Sequence, residues 1–435
     1  MSTLAVDRAR QQFADRNPGS RQHFDEARQH LPGGHTRTVL THPPFPLVFS
    51  GGNRATLTDV DGHQYIDLLG DYTAGLLGHS ERRVLDAVTA ALHRNVSVGG
   101  IHPAEAVLGR LMCERFGIDR VRFTNSGTEA NLMAITTATQ FTGRHKLLVF
   151  MGGYHGGVLY FASGPAPWNA PYDFVIAPYG DLAGTQALIA EHGADLAAVI
   201  VEPMLGSGGC VPASAEFIQG VFAAARAVGA VCIADEVMTS RHGRQGMVQL
   251  LGAEADITTY GKYIGGGFSF GAFGGLAELL DQYDTSPDTG RLRTISHAGT
   301  FNNNIATMTA GGVVLGEVFT ADVAEVHTAR GDEFRQQVAA VLARHDVPMS
   351  VSGFGSMMSL HATRPAPTTV AEIARRDEAL QELMFLGLLQ RGVYTAHRGM
   401  MNLGLAHTDD QLAATLDAID DTLLELAAAP GRNAA

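Results

Sequence analysis

Lys262 is the residue that most needs a chemical explanation. A short apolar run rich in β-branched residues, 257–260, reads as a strand that stops at Gly261, and Lys262 follows at once. Gly265, Gly266 and Gly267 come next, and glycine lets backbone pass close to another group. A lysine at a strand end among glycines suits an amine that must be held bare and nucleophilic, as a Schiff-base lysine is. On these residues alone, a solvated lysine beside a loop competes with that reading. A second strand begins at Val231 and ends on Asp235. A buried carboxylate at a strand end needs a partner, and a protonated ring nitrogen is one such partner. One connection plus one strand separates Asp235 from Lys262, which fits two elements of one parallel sheet.

Other candidate groups also follow or end predicted strands. Ser126-Gly127-Thr128 stands where a strand-like start at Val121 runs into a helical stretch. Main-chain N–H groups at a helix start, with two hydroxyls and a glycine, can hold a phosphate. The same residues would also make an ordinary helix cap. Tyr154 lies in Gly152-Gly153-Tyr154-His155-Gly156-Gly157 after the strand 146–150, so its ring can lie flat against a ligand. Glu202 closes the strand 195–201. Ligands in open α/β sheets sit outside the carboxyl ends of the strands, so this shared placement points to one site.

The elements that must position these groups are strands alternating with helices, a mostly parallel sheet covered on both faces. At 435 residues two domains are expected, with boundaries near 104 and 318. Residues 1–103 form an N-terminal arm and part of a small domain, 104–318 the large domain, and 319–435 the rest of the small one. In the first segment, 5–30 reads as a helical arm. Residues 47–68 alternate around Asp61-Gly62, a hairpin signal. Asp71-Tyr72 leaves that sheet toward a possible site. Residues 349–361 read as strands about Gly353 and Gly355, 371–390 as a helix, and 393–405 as a strand carrying Arg398.

A net charge of -13 argues against binding a nucleic-acid backbone. No apolar run is long enough to span a bilayer, and residues 1–21 are too polar for a signal peptide. Cys113, Cys210 and Cys232 show no metal or redox spacing and suit a reducing compartment, so a cytoplasmic protein without a membrane or nucleic-acid partner is expected.

The segments Asp235-Glu-Val-Met-Thr-Ser240 and Gly261-Lys-Tyr-Ile-Gly-Gly-Gly267 resemble the class III aminotransferases, enzymes of pyridoxal 5′-phosphate with the fold-type I architecture. Within that family the chain is similar to glutamate-1-semialdehyde aminomutase and to the aromatic β-amino acid aminotransferases. The resemblance implies that Lys262 holds the cofactor and Asp235 its ring nitrogen. It implies that Ser126, Gly127 and Thr128 cup the phosphate, that Tyr154 and Val237 cover the ring faces, and that Glu202 lies near the phenolic oxygen. Thr300, in His297-Ala-Gly-Thr-Phe-Asn302, would reach the phosphate of a neighbouring subunit and make a homodimer with shared sites obligatory. Arg37, in Gly33-Gly-His-Thr-Arg37, matches the arginine that binds a β-amino acid carboxylate, and Arg398 the one that binds an α-keto acid. Tyr72 is a further candidate for the substrate. The implied function is transfer of an amino group from a β-amino acid, β-phenylalanine-like, to 2-oxoglutarate or pyruvate by a ping-pong route. The alternatives are a semialdehyde aminomutase and a non-catalytic regulator on the same fold, the latter disfavoured by an intact Lys262 and Asp235.

Overall fold

The structure is a computed structural model that describes residues 3–162, 164–286 and 294–428. It divides into two compact units, one of Arg82–Ala329 and the other of residues up to Glu81 together with those from Arg330 on.

In the Arg82–Ala329 unit, among the described residues, seven strands form one sheet. Its spatial order is Arg120–Thr124, Gly271–Gly275, Ile257–Gly261, Val231–Asp235, Leu196–Val201, Lys146–Phe150 and Asp173–Ala177. All neighbours pair in parallel except Gly271–Gly275, which is antiparallel to both of its neighbours. Leu196–Val201 and Val231–Asp235 are buried along their whole length, which is why they read as unbroken apolar runs. Gly271–Gly275 is glycine-rich because its neighbours leave no room. A Cβ on Gly275 would lie 2.1 Å from the Asp256 carbonyl oxygen. The helix Gly127–Thr142 buries Ala130, Ala134 and Ala138, a small-residue stripe at helical spacing that packs on the sheet with Val149, Ile233 and Phe273.

Among the described residues the other unit holds two small sheets. Phe49–Asn53, Thr56–Asp59 and Gln64–Asp67 form an antiparallel meander, with the predicted Asp61-Gly62 turn between the last two. Ser350–Phe354, Met357–His361 and Met400–Asn402 form the second sheet, also antiparallel. Leu68, Phe334, Val338, Leu360 and Leu383 belong to one core of this unit. The N-terminal arm docks through a second apolar cluster, in which Phe13 packs with Phe45 and Phe385, and through a two-bond pair from Arg10 to Glu382 at 2.6 and 2.8 Å.

Three expectations about elements need correction. The arm is two helices, Thr3–Arg16 and Pro18–Ala27, because Pro18 lacks an N–H and starts a new first turn. The stretch 371–390 is also two helices, Val370–Ile373 and Glu378–Gln390, the second capped by the Asp377 side chain on Leu380 N. Residues 393–405 are not one strand. Val393–Tyr394 pairs parallel to Gln64–Asp67, whereas Met400–Asn402 joins the Met357–His361 sheet. Arg398 sits in the turn between the two. Gly399 is required there, with φ 99° and a would-be Cβ 2.0 Å from the Leu360 carbonyl oxygen. Among the described residues no helix is long and apolar enough to cross a membrane.

Candidate active site

Asp235 and Lys262 end neighbouring parallel strands. Asp235 is in register with Thr259, three residues before Lys262, so both groups emerge at the same sheet end. Lys262 has a φ of 53° and opens the 3₁₀ turn Lys262–Gly265. A left-handed non-glycine residue costs roughly 1–2 kcal/mol, a strain that persists where surrounding structure fixes it.

Asp235 is buried and fully engaged. Its Oδ2 accepts from Asn131 Nδ2 and from His155 Nδ1, each at 2.8 Å, and its Oδ1 accepts from Val237 N at 3.1 Å. Burial pushes the carboxyl group up, but the His155 hydrogen bond and charge, with the Val237 and Asn131 bonds, hold it below the usual carboxylate range. His155 is the mirror case: burial pulls it down, and Asp235 outweighs that and raises it. Both shifts favour the ionised carboxylate beside a protonated imidazole. His155 Nε2 is buried and has no hydrogen-bond partner among the described residues.

Asn131 ties the site together. Its Nδ2 also donates to the His155 carbonyl at 3.0 Å, and its Oδ1 accepts from Thr259 Oγ1 at 2.7 Å. The sequence reading did not single it out. The available signal was a polar residue on the buried, alanine-lined face of its helix.

Ser126 caps the helix Gly127–Thr142, its Oγ accepting from Glu129 N at 3.2 Å. The capping role and an anion-binding role coexist, because the N–H groups of Gly127 and Thr128 have no intrahelical acceptor by position. Two contacts make this helix start a cradle. A Cβ on Gly127 would lie 2.9 Å from both Val237 methyls, and one on Gly156 would lie 2.3 Å from Thr128 Oγ1. Val237 also approaches Gly261, so its methyls bridge the helix start and the lysine strand. Tyr154 keeps a ring 37% exposed while its backbone N–H donates to Glu202 Oε1 at 2.8 Å. Glu202 Oε2 accepts from Gly206 N at 3.0 Å. Burial raises the Glu202 carboxyl, His155 opposes that, and the charge of Asp235 adds to the rise.

Glu236, adjacent to Asp235, accepts from Met247 N and Val248 N at 2.9 and 2.8 Å. Burial nevertheless pushes it up to about 7 from an ordinary 4.5. Its folded pKa is thus raised, so its stabilising contribution is complete below about pH 4.5 and is lost as pH rises through about 7. Glu236→Gln should flatten the melting-temperature profile between about pH 5 and 7 by one proton's worth of slope. An unchanged slope would mean that Glu236 is ionised throughout.

Thr300 is exposed, and no hydrogen bond joins it to Ser126–Thr128 of its own chain among the described residues. Its loop is tied to the helix start by Asn125 Nδ2 donating to Asn302 Oδ1 at 2.9 Å. Arg37, Tyr72 and Arg398 belong to the other unit and cluster there. The Arg37 and Arg398 guanidiniums lie 5.7 and 5.1 Å from the Tyr72 ring centroid, within cation–π range. The Tyr72 hydroxyl donates to the Val39 carbonyl at 2.9 Å. Arg37 pairs with Asp71, whereas Arg398 Nε is buried without a partner among the described residues.

The donor set of the Arg82–Ala329 unit fits pyridoxal phosphate. It offers a lysine amine, an ionised buried carboxylate for a ring N–H⁺, a helix start for a phosphate, and glycines where a Cβ would fill the space. Fold and site together define a pyridoxal phosphate-dependent transaminase of fold type I. A class III aminotransferase family model matches residues 40–423. The β-phenylalanine transaminase of Variovorax paradoxus is 43% identical over 424 residues, 96% of each chain. The crystal structure of the Variovorax paradoxus β-phenylalanine aminotransferase superposes with a TM-score of 0.94 over 97% of each chain. A glutamate-1-semialdehyde 2,1-aminomutase of Nitratidesulfovibrio vulgaris is 35% identical over 416 residues, 91% of this chain and 97% of that one. The chain belongs to the class III aminotransferases.

Proposed function

We propose that this transaminase takes the amino group from an aromatic β-amino acid of the β-phenylalanine kind and passes it to 2-oxoglutarate or pyruvate, alternating the two half-reactions in one site. The observation that carries this reading is the pair of guanidiniums flanking Tyr72, two carboxylate ligands in one cluster. The likeness to the Variovorax paradoxus β-phenylalanine transaminase supports the choice of donor.

Pyridoxal phosphate, when bound, supplies an electron sink. Lys262 Nζ anchors it and then moves the proton at the reacting carbon. Asp235, kept ionised by His155, holds the proton on the ring nitrogen. The N–H groups of Gly127 and Thr128, with the Ser126 and Thr128 hydroxyls, take the phosphate. Tyr154 and Val237 would hold the cofactor ring between them, and Glu202 would lie by its phenolic oxygen. Thr300 serves the phosphate of a second copy. Support for that homodimer comes from Val96, Ile101 and Phe301, which are 72%, 90% and 63% exposed. Ile101 and Phe301 lie near Thr300, because Asn303 Nδ2 donates to the Gly100 carbonyl and to Glu105 Oε2 at 3.2 and 3.1 Å. Apolar surface of this kind marks interaction sites.

Arg37 takes the β-amino acid carboxylate and Arg398 that of the keto acid, since the two carboxylates sit at different distances from the reacting carbon. Loss of one charged hydrogen-bond partner costs about 1.5–3 kcal/mol, roughly ten- to a hundredfold in specificity. Arg37→Ala should therefore mainly impair the donor half-reaction and Arg398→Ala the acceptor half, each followed in single turnover. Equal losses in both halves from either mutant would refute the assignment, and efficient isomerisation of glutamate-1-semialdehyde would establish the aminomutase instead.

A further inference from the structure

Asp71 has no task in the chemistry proposed above, yet the backbone is bent to present it. Its Oδ1 lies 2.5 Å from Arg37 Nη1, and the two side chains are 52% and 47% exposed. An ion pair so exposed stabilises a fold very little. Even so, Asp71, Tyr72 and Thr73 are three successive left-handed residues, at φ 44°, 53° and 81°, a conformation that aspartate tolerates but that is unfavourable for the bulky Tyr72 and the β-branched Thr73. The turn is clamped on both sides. Asp67 Oδ1 accepts from Leu69 N and Gly70 N at 3.0 Å each, and the Tyr72 hydroxyl holds the Val39 carbonyl. The turn buries Tyr72 and Thr73, but the exposed Asp71 carboxylate adds little to that packing, and strain held in place by surrounding bonds is found at functional sites.

We propose that Asp71 is a resident counter-ion for Arg37, which the carboxylate of the amino donor must displace. Asp71 engages Arg37 through one oxygen, at a single guanidinium nitrogen. A planar carboxylate ligand can engage two nitrogens at once, which is the stronger arrangement. The donor carboxylate therefore wins the exchange, while a weaker or single-point anion does not. Arg398 makes no ion pair with a carboxylate among the described residues; it meets Met400 Sδ at 3.8 Å and the Tyr72 ring, so the second half-reaction carries no such competition. In this arrangement Asp71 sets the affinity and anion selectivity of Arg37 by occupying it, as a positioning residue. The inference rests on the reading of Arg37 as the donor carboxylate ligand.

The test compares wild type, Asp71→Asn and Arg37→Ala holoenzymes. Asparagine removes the charge and tolerates the left-handed conformation as aspartate does, so the turn is retained. The probe is 3-phenylpropanoate, an unreactive carboxylate without an amino group, titrated by calorimetry. Half-saturating concentrations of both half-reactions are measured in parallel. Asp71→Asn should bind 3-phenylpropanoate about two- to fivefold more tightly, the range an exposed ion pair allows. It should lower the half-saturating donor concentration by the same factor and leave the acceptor half unchanged. Unchanged or weaker binding in Asp71→Asn, with Arg37→Ala still impairing the donor half, overturns the counter-ion role and leaves the Arg37 assignment standing. Equal losses in both halves in Asp71→Asn overturn it as well, since they mark a structural role. If Arg37→Ala also leaves the donor half intact, the Arg37 reading fails first and the counter-ion role with it.

Discussion

Lys262→Ala is expected to lower turnover by at least the ~10²–10⁴-fold that a positioned proton-transfer group is worth, with loss of covalent cofactor attachment in addition. The fold should survive. Alanine inherits the same left-handed backbone, φ 53°, and Lys262 is only half-buried, outside the fully buried core. Intact-protein mass after hydride reduction reads the attachment, and circular dichroism reads the fold. The same mutant reports on Thr300. Refolding a mixture of Lys262→Ala and Thr300→Ala chains at limiting cofactor should give hybrid dimers with one wild-type site, and activity above either parent. Were Thr300 to act within its own chain, each site of the hybrid would lack one group, and no such gain would appear. Near-normal turnover of Lys262→Ala would sink the mechanism as a whole.

Asp235→Asn is expected to have the second-largest effect. Asparagine keeps the shape of the side chain and an acceptor for Val237 N, but it leaves His155 without its counter-charge and the ring nitrogen without its base. Breaking a buried charge pair costs about 3–5 kcal/mol, or roughly 10²–10⁴ in rate where that pairing serves the transition state. Two signs can be checked. Asp235 has a folded pKa below its ordinary 3.8, so the stability it contributes is present above that value and is lost as pH falls through the lowered folded pKa. His155 is raised above 6.5, so its contribution is full below 6.5 and is lost as pH rises through the folded pKa. In Asp235→Asn the His155 titration, followed by nitrogen NMR, should drop below 6.5, because burial, the largest influence, is then opposed only by the smaller effect of Glu202. A rate within tenfold of wild type together with an unmoved His155 titration would contradict this account.

Much of the site lay open in the sequence because its geometry is local. Strand, glycine and Lys262 are consecutive, and Asp235 closes an apolar run, so strand period and turn chemistry place them at strand ends without knowledge of the rest of the chain. The same holds for Ser126 at a helix start and for Tyr154 between glycines. Once the strands are parallel neighbours, their carboxyl ends fall on one edge of the sheet, and these residues meet there.

What tertiary structure alone decided are pairings between distant residues. Asn131 and Asp235 are 104 positions apart, and only the seating of an alanine-faced helix on the sheet brings that amide to the carboxylate. In the sequence His155 is one residue of a glycine-flanked loop; its burial against Asp235 makes it the group that favours the ionised acid. Arg398 read as part of a strand. It lies instead in a turn, because residues 393–402 leave one sheet to join another, a crossover that alternation in sequence cannot show. Arg37 and Asp71 are 34 positions apart, and their meeting depends on three left-handed residues that no propensity favours. Local sequence sets periods and caps through short-range sterics and hydrogen bonding. Which charge faces which across the fold is set by packing, since burial and distance enter that energy only after the chain has closed.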